Sequence, residues 1–365
     1  MVLNRLKSLV TRDRGWEALL AEARSELRAP MSAGAATALA GRLEAAPEHY
    51  NLKAKEKPAA AIYAALARWR ATGRYERSFD GASDARLQFW EIEHNCAVLP
   101  FQRELAREMA RVFPNSAGMA KNLSILEHTD DLAPDLWIDQ KEPLTVIDTP
   151  GAERTIVGFS GLTNICLGVG WTTFYRAAAL PARANLVVLR DFERKLHLNG
   201  NRAFGGLEAT LEGLAKLIDG YDEHGEVIGL GASGGTFGGL TLTSRLPRIR
   251  RFVALSGPTS LAIGGEHESK QVFTRVLAEI ERGRLPGEDV PALINGSALE
   301  RIDYFTAGRN AFDMRQMRNL ADRCDRVVPH LYETENHSLT DLCIADGRLI
   351  RVLQGEDLPP KTLDD

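Results

Sequence analysis

The stretch with the clearest chemical meaning is Val227-Ile228-Gly229-Leu230-Gly231-Ala232-Ser233-Gly234-Gly235-Thr236-Phe237-Gly238, an apolar run that breaks into glycines before helix-forming residues resume. Its residues 231–235 fit G-x-S-x-G, a strand-to-helix turn so tight that any side chain two places before or after the serine would strike the neighbouring backbone. Gly231 and Gly235 meet that requirement. Such a turn lifts the Ser233 hydroxyl clear of a sheet, beside the first amides of a helix. The Gly234 N–H is then placed to stabilise an oxyanion. The same stretch also fits G-x-G-x-x-G through Gly229, Gly231 and Gly234, which would cradle a dinucleotide pyrophosphate. That motif belongs on a fold's first strand, with an acid ending the next strand. Here about three strand-like runs precede it, and Phe252-Val253-Ala254-Leu255 leads into Ser256-Gly257-Pro258 with no carboxylate. The nucleophile reading is therefore preferred. Nucleotide binding is the alternative, and a glycine-rich turn without chemistry is a third reading.

A serine hydroxyl is a poor nucleophile alone, and in this kind of turn its acid and then its histidine follow along the chain. His337 sits in Glu333-Thr334-Glu335-Asn336-His337, just past the last strand-like run, and is the expected base. His330 falls inside that run and is expected to be structural, while His197 is the second choice for a group near the site. Of the acids around Ile302 to Asp313, Asp303 starts a strand and would lie at the far end of the sheet, whereas Asp313 follows the strand's C-terminal end. Asp313 is the expected acid and Asp341 the fallback. Val157-Gly158-Phe159 opens into Ser160-Gly161-Leu162-Thr163-Asn164, which offers the Leu162 amide as the second oxyanion donor, with Gly161 next to it. In Arg190-Asp191-Phe192-Glu193-Arg194-Lys195 the candidates for contact with a polar or anionic substrate part are Arg190, Arg194 and Lys195, against the plainer reading of a solvated loop.

Elements must carry these residues to one place. From about residue 143, β-branched and aliphatic runs alternate with helix formers, the mark of a parallel sheet with crossover helices. The expected strands are 144–147, 155–159, 186–189, 227–230, 252–255, 302–306 and 327–332. Their apolar runs lack polar alternation, as in strands covered on both faces. The interval Pro258 to Glu300, with a helical pattern around Val272 to Arg282, reads as a cap-like insertion at about 259–300 that could fold over the strand ends. Residues 1–142 read as a helical N-terminal region, rich in Ala, Leu, Arg and Glu and punctuated by Gly34, Gly41, Pro47, Pro58, Gly73, Gly81, Pro100 and Pro114. Its short helices suggest tetratricopeptide-type pairs, although no two copies align at a fixed period.

With the Ser233 elbow, the order Ser233, Asp313, His337, the Ser160-Gly161-Leu162 turn and the insertion before the penultimate strand, residues 143–365 resemble the α/β-hydrolase superfamily. The resemblance implies a mostly parallel, doubly wound α/β sheet. It also implies attack on an ester-type acyl bond by a Ser-His-Asp triad through an acyl-enzyme, with no cofactor. One departure stands out: Ser160 replaces the histidine usual before the glycine of the oxyanion turn. Residues 155–170 and 185–199 also look similar to bacterial hydrolase-like proteins, some associated with surface polysaccharides, so the expected substrate is a small-molecule or polysaccharide-linked acyl compound. The fold also hosts members without activity. The alternative from another class is thus an inactive platform whose helical region binds a protein partner or a second copy of the chain.

Composition bounds the rest. A chain of 365 residues with 44% hydrophobic and 26% charged residues is globular and long enough for more than one core. A net charge of −4 gives no bulk reason to bind nucleic acid or anionic lipid. The N-terminus lacks a signal-peptide core and no apolar run reaches the roughly eighteen residues of a membrane span, so a cytoplasmic location is expected. Cys96, Cys166, Cys324 and Cys343 form no C-x-x-C pair, and their spacing with His330 and His337 fits no metal site.

Overall fold

The computed structural model describes residues 2–50, 52, 56–130, 133–139, 141–221, 225–263, 267–287 and 289–363. They form two compact units, Met1–Gln140 and Lys141–Asp365. The first is all helical: Val2–Arg28, Ala33–His49, Lys57–Thr72, Ala82–Asn95, Leu99–Val112 and Ala117–Glu127. Gly34, Gly41 and Pro47, expected as breaks, lie inside the second helix. An isolated helical glycine costs only about 1 kcal/mol relative to alanine, and the buried stripe Ala36, Leu39, Ala40 and Leu43 holds the helix through it. Within this unit Arg24 donates to the Tyr63 hydroxyl at 2.9 Å and to Glu91 at 2.6 Å, so the partly buried cation is matched by a carboxylate.

The second unit is built on a seven-stranded sheet, β1 (Leu144–Ile147), β2 (Arg154–Phe159), β3 (Ala184–Leu189), β4 (Glu226–Ala232), β5 (Ile249–Leu255), β6 (Arg301–Ala307) and β7 (Val327–Tyr332). All the expected strands form, some a few residues longer. The spatial order is β1-β3-β2-β4-β5-β6-β7, with β1 antiparallel and the rest parallel. Helices Leu207–Asp219, Gly234–Thr243 and Ala311–Ala321 make crossovers. The second of these is buried along its whole length, which is why its sequence carries no polar face.

This order sets the place of the chemistry. β2 and β4 are neighbours, yet the chain leaves β2 for β3 on one side and leaves β4 for β5 on the other. A crevice opens at such a switch, outside the carboxyl ends of the strands. Register makes those ends level: Phe159 pairs with Gly231 and Ala307 with Tyr332. The segment between β5 and β6 carries a 3₁₀ turn, Leu261–Ile263, and helices His267–Glu281 and Val290–Asn295, while residues 264–266 and 288 of the expected insertion lie outside the described residues. The insertion is anchored where it begins, because the Thr259 and Ser260 amides donate to Gln316 Oε1 at 2.8 and 3.0 Å.

Within β6 and β7, Asp303 and His330 form a fully buried pair. His330 Nε2 donates to Asp303 at 3.0 Å, and Nδ1 accepts from Arg348 Nε at 2.9 Å. Burial pushes the imidazole below its usual range despite the neighbouring carboxylate. Burial alone would raise Asp303, but His330 and Arg301 together hold it below the usual carboxylate range. As pH falls through about 6.5, the unfolded chain takes up a proton at this histidine that the folded chain refuses, so stability drops. The midpoint of urea unfolding is expected to fall between pH 7.5 and 5.5, and His330→Gln to flatten that dependence; equal slopes in both chains would show that His330 does not cause it.

Candidate active site

The turn between β4 and the helix Gly234–Thr243 carries Ser233 with φ 49° and ψ −124°, a backbone conformation that L residues seldom hold. Its neighbours enforce it. A Cβ on Gly235 would lie 2.1 Å from the Phe159 carbonyl oxygen, and one on Gly231 2.5 Å from Thr236 Cα. Ser233 N–H donates to Leu255 O at 2.9 Å, Thr236 N–H returns to Ser233 O at 2.9 Å, and Thr236 Oγ1 donates to Gly231 O at 3.0 Å.

The remaining expected groups converge on this hydroxyl. His337 Nε2 lies 2.9 Å from Ser233 Oγ, and His337 Nδ1 lies 2.8 and 3.0 Å from the two oxygens of Asp313. A carboxylate only accepts, so Nδ1 carries the proton and Nε2 presents its lone pair to the serine. The Asp313 side chain is 1% exposed and that of His337 35%, so the acid is sealed while the imidazole faces the cleft. Asp313 was expected in a loop; it stands instead in the first turn of Ala311–Ala321. Asn310 caps that helix, its Oδ1 accepting from the Phe312 and Asp313 amides, and its Nδ2 donates to Glu335 O at 3.1 Å. One side chain thus fastens the acid's helix to the loop that carries His337. Asn310 belongs to none of the expected site residues, although Asn before a helical run is a capping signal. Of the other candidates, Asp303 and His330 are occupied with each other, and Asp341 stands in the first turn of the helix Thr340–Ala345.

The turn after β2 abuts the elbow: Leu162 packs on Gly234, and a Cβ built on Gly161 would lie 3.4 Å from Ser233 Cβ. Gly234 opens its helix, so its N–H has no intrahelical acceptor. Both Gly234 and Leu162 line a cleft of about 350 Å³ with Ser233 and His337. Its walls are mainly apolar, with Ile165, Leu167, Phe273 of the insertion, and Phe312. Arg194 also lines it and donates from Nε to Leu162 O at 3.1 Å.

Two of the expected substrate contacts lie away from the cleft lining. Arg190 is buried, with Nη1 on Glu142 O at 2.9 Å and Thr145 Oγ1 at 2.7 Å, because the chain turns at the end of β3 and sends the side chain toward the edge strand. Lys195 is not among the residues lining the cleft; its ammonium lies 3.2 Å from Glu193.

No protein-family model and no curated protein matches the chain. Among solved structures, a 2,6-dihydroxy-pseudo-oxynicotine hydrolase is 13% identical with a TM-score of 0.45, the match covering 95% of this chain and 90% of that one. The capsule O-acetyltransferase of Neisseria meningitidis serogroup A is 11% identical with a TM-score of 0.44, covering 62% and 98%. An S-formylglutathione hydrolase from Agrobacterium tumefaciens is 13% identical with a TM-score of 0.41, covering 56% and 86%.

Replacing the Asn310 cap tests its share in this arrangement. Asn310→Ala is expected to lower unfolding free energy by about 1 kcal/mol, as read from denaturant melts. An unchanged melt would show that the cap is dispensable.

Proposed function

We propose that this chain, which has the α/β-hydrolase fold, is a serine hydrolase that cleaves an ester-type acyl bond through an acyl-enzyme. The observation that carries the reading is the unbroken series of hydrogen bonds from Ser233 Oγ through His337 to the buried Asp313, opening on one cleft.

In this reading, Ser233 Oγ attacks the acyl carbon while its proton passes to His337 Nε2. Asp313 holds the ring by its Nδ1–H and stabilises the imidazolium that forms. Negative charge gathers on the former carbonyl oxygen, where the Gly234 and Leu162 amides receive it. His337 then gives its proton to the departing alkoxide, and the acyl group stays on Ser233. A water molecule that loses a proton to His337 attacks the ester, and His337 returns that proton to Ser233 as the acid departs. The titratable groups are regenerated, so no cofactor is required.

The cleft narrows the acyl part. About 350 Å³ is at the small end of ligand sites, and walls of Leu162, Ile165, Leu167 and Phe312 favour an apolar group. Only the acyl part must enter, so the alcohol part can be a small molecule or a polysaccharide. Arg194 is where a polar or anionic part of the substrate would meet the wall.

A fluorophosphonate probe followed by peptide mapping tests the assignment: covalent capture at Ser233 is expected. Absence of capture, with a protein partner retained, would favour the inactive platform instead. On an ester that the chain turns over, Ser233→Ala is expected to lower the rate by up to about a millionfold with an unchanged fold. Asp313→Asn is expected to lower it by about ten thousandfold, since the imidazole then loses its tautomer. Retention of the full rate by either variant would remove that residue from the mechanism.

A further inference from the structure

Three successive carbonyls in the turn after β2 are each engaged by a donor. His197 Nε2 lies 3.0 Å from Ser160 O, the Asn164 amide donates to Gly161 O at 2.9 Å, and Arg194 Nε donates to Leu162 O. In a trans peptide the N–H points opposite to its C=O. Holding the Gly161 carbonyl therefore directs the Leu162 N–H, and the bonds on either side fix the peptides that flank it. A carbonyl engaged in this way also cannot turn its negative end toward a developing oxyanion.

We propose that His197 is a positioning residue for the oxyanion pocket: from the loop after β3 it fixes the turn that presents the Leu162 amide. The inference rests on Ser233 being the nucleophile. Since a carbonyl oxygen only accepts, His197 Nε2 carries the proton. Its ring is buried edge-on against Phe159, and the residue adopts φ +60°. Its Nδ1 has no hydrogen-bond partner among the described residues. A leucine or phenylalanine could fill this space without stranding a nitrogen. The imidazole thus brings an unsatisfied atom into the interior, and among the described residues the one polar contact its ring makes is the bond to Ser160 O.

The same loop presses on the helix that supplies the other donor. A Cβ on Gly238 would lie 1.9 Å from Leu196 O and 2.8 Å from His197 Cβ. The Asp191 carboxylate accepts from the His197 amide at 3.1 Å, while the Asp191 amide donates to Ser160 Oγ at 3.3 Å. His197 is therefore seated between the helix that begins at Gly234 and the turn that holds Leu162.

The test compares His197→Leu, His197→Gln and His197→Asn in the full chain. Glutamine can place an amide N–H near the depth of Nε2, whereas asparagine, one bond shorter, cannot. Each variant is assayed for kcat and KM on a turned-over ester, for the rate of Ser233 capture by a fluorophosphonate, for inhibition by a trifluoromethyl ketone, and for its melting temperature. Leu and Asn are expected to lower kcat and capture about ten- to a hundredfold, short of the roughly 10²–10³ lost when an oxyanion donor itself is removed. Their KM is expected to stay within about twofold, ketone affinity to fall in parallel with kcat, and Gln to recover most of the loss. If Leu does not fold, the Gln and Asn pair still decides. Unchanged kcat and capture in Asn, or equal losses in Gln and Asn that follow melting temperature, would overturn the proposal. Failure of the unsubstituted chain to capture the probe would instead overturn the Ser233 reading, and this inference with it.

Discussion

The backbone of Ser233 is the constraint around which the rest of the site is arranged. A non-glycine residue at φ 49° and ψ −124° costs about 1–3 kcal/mol and persists only when its surroundings leave it no alternative. Here the alternatives are closed by contact, since the glycines at 231 and 235 leave no room for even one carbon atom. The strand behind and the helix ahead are both buried, so the turn cannot relax outward without opening the centre of the sheet. The strain therefore holds a hydroxyl at the one point where a crevice must open.

Everything else at the site is brought to that point by level strand ends. Asp313 follows β6 and His337 follows β7, and neither segment has a local reason to meet Ser233. Pairing of Ala307 with Tyr332 sets the two loops side by side, and Asn310 then ties them together. The insertion adds Phe273 to the wall of the cleft, and Arg275 donates to Arg194 O at 2.9 Å, so this segment bears on the same loop that holds the turn after β2.

The same two strands offer a control on how environment makes chemistry. β7 itself carries His330, bonded to Asp303 of β6, and the loop after β7 carries His337, bonded to Asp313 after β6. The first imidazole is fully buried and both nitrogens are filled, one by the carboxylate and one by Arg348, so protonation has no place to go and the pair can only brace the sheet. The second keeps one nitrogen on a carboxylate and offers the other to a hydroxyl at the cleft. Two histidine–aspartate pairs thus differ in what the second nitrogen meets.

The features legible in the sequence were those imposed by local sterics or by position along the chain. Gly231 and Gly235 announce the turn around Ser233 because no side chain fits at those two places, apolar runs announce strands buried on both faces, and a histidine just past the last strand must emerge at its carboxyl end. Asp313 was readable for the same reason, although its helix was not, because the Asn310 cap is a short signal beside a longer loop-like run. Direction across space was not readable. Arg190 and Arg194 lie four places apart in one charged loop, yet the first is buried against the edge strand and the second lines the cleft, a difference set by where the chain turns after β3. His197 likewise stands in an ordinary charged stretch. Its bond to Ser160 O exists only because strands from distant parts of the chain lie next to each other, and tertiary packing alone makes that contact.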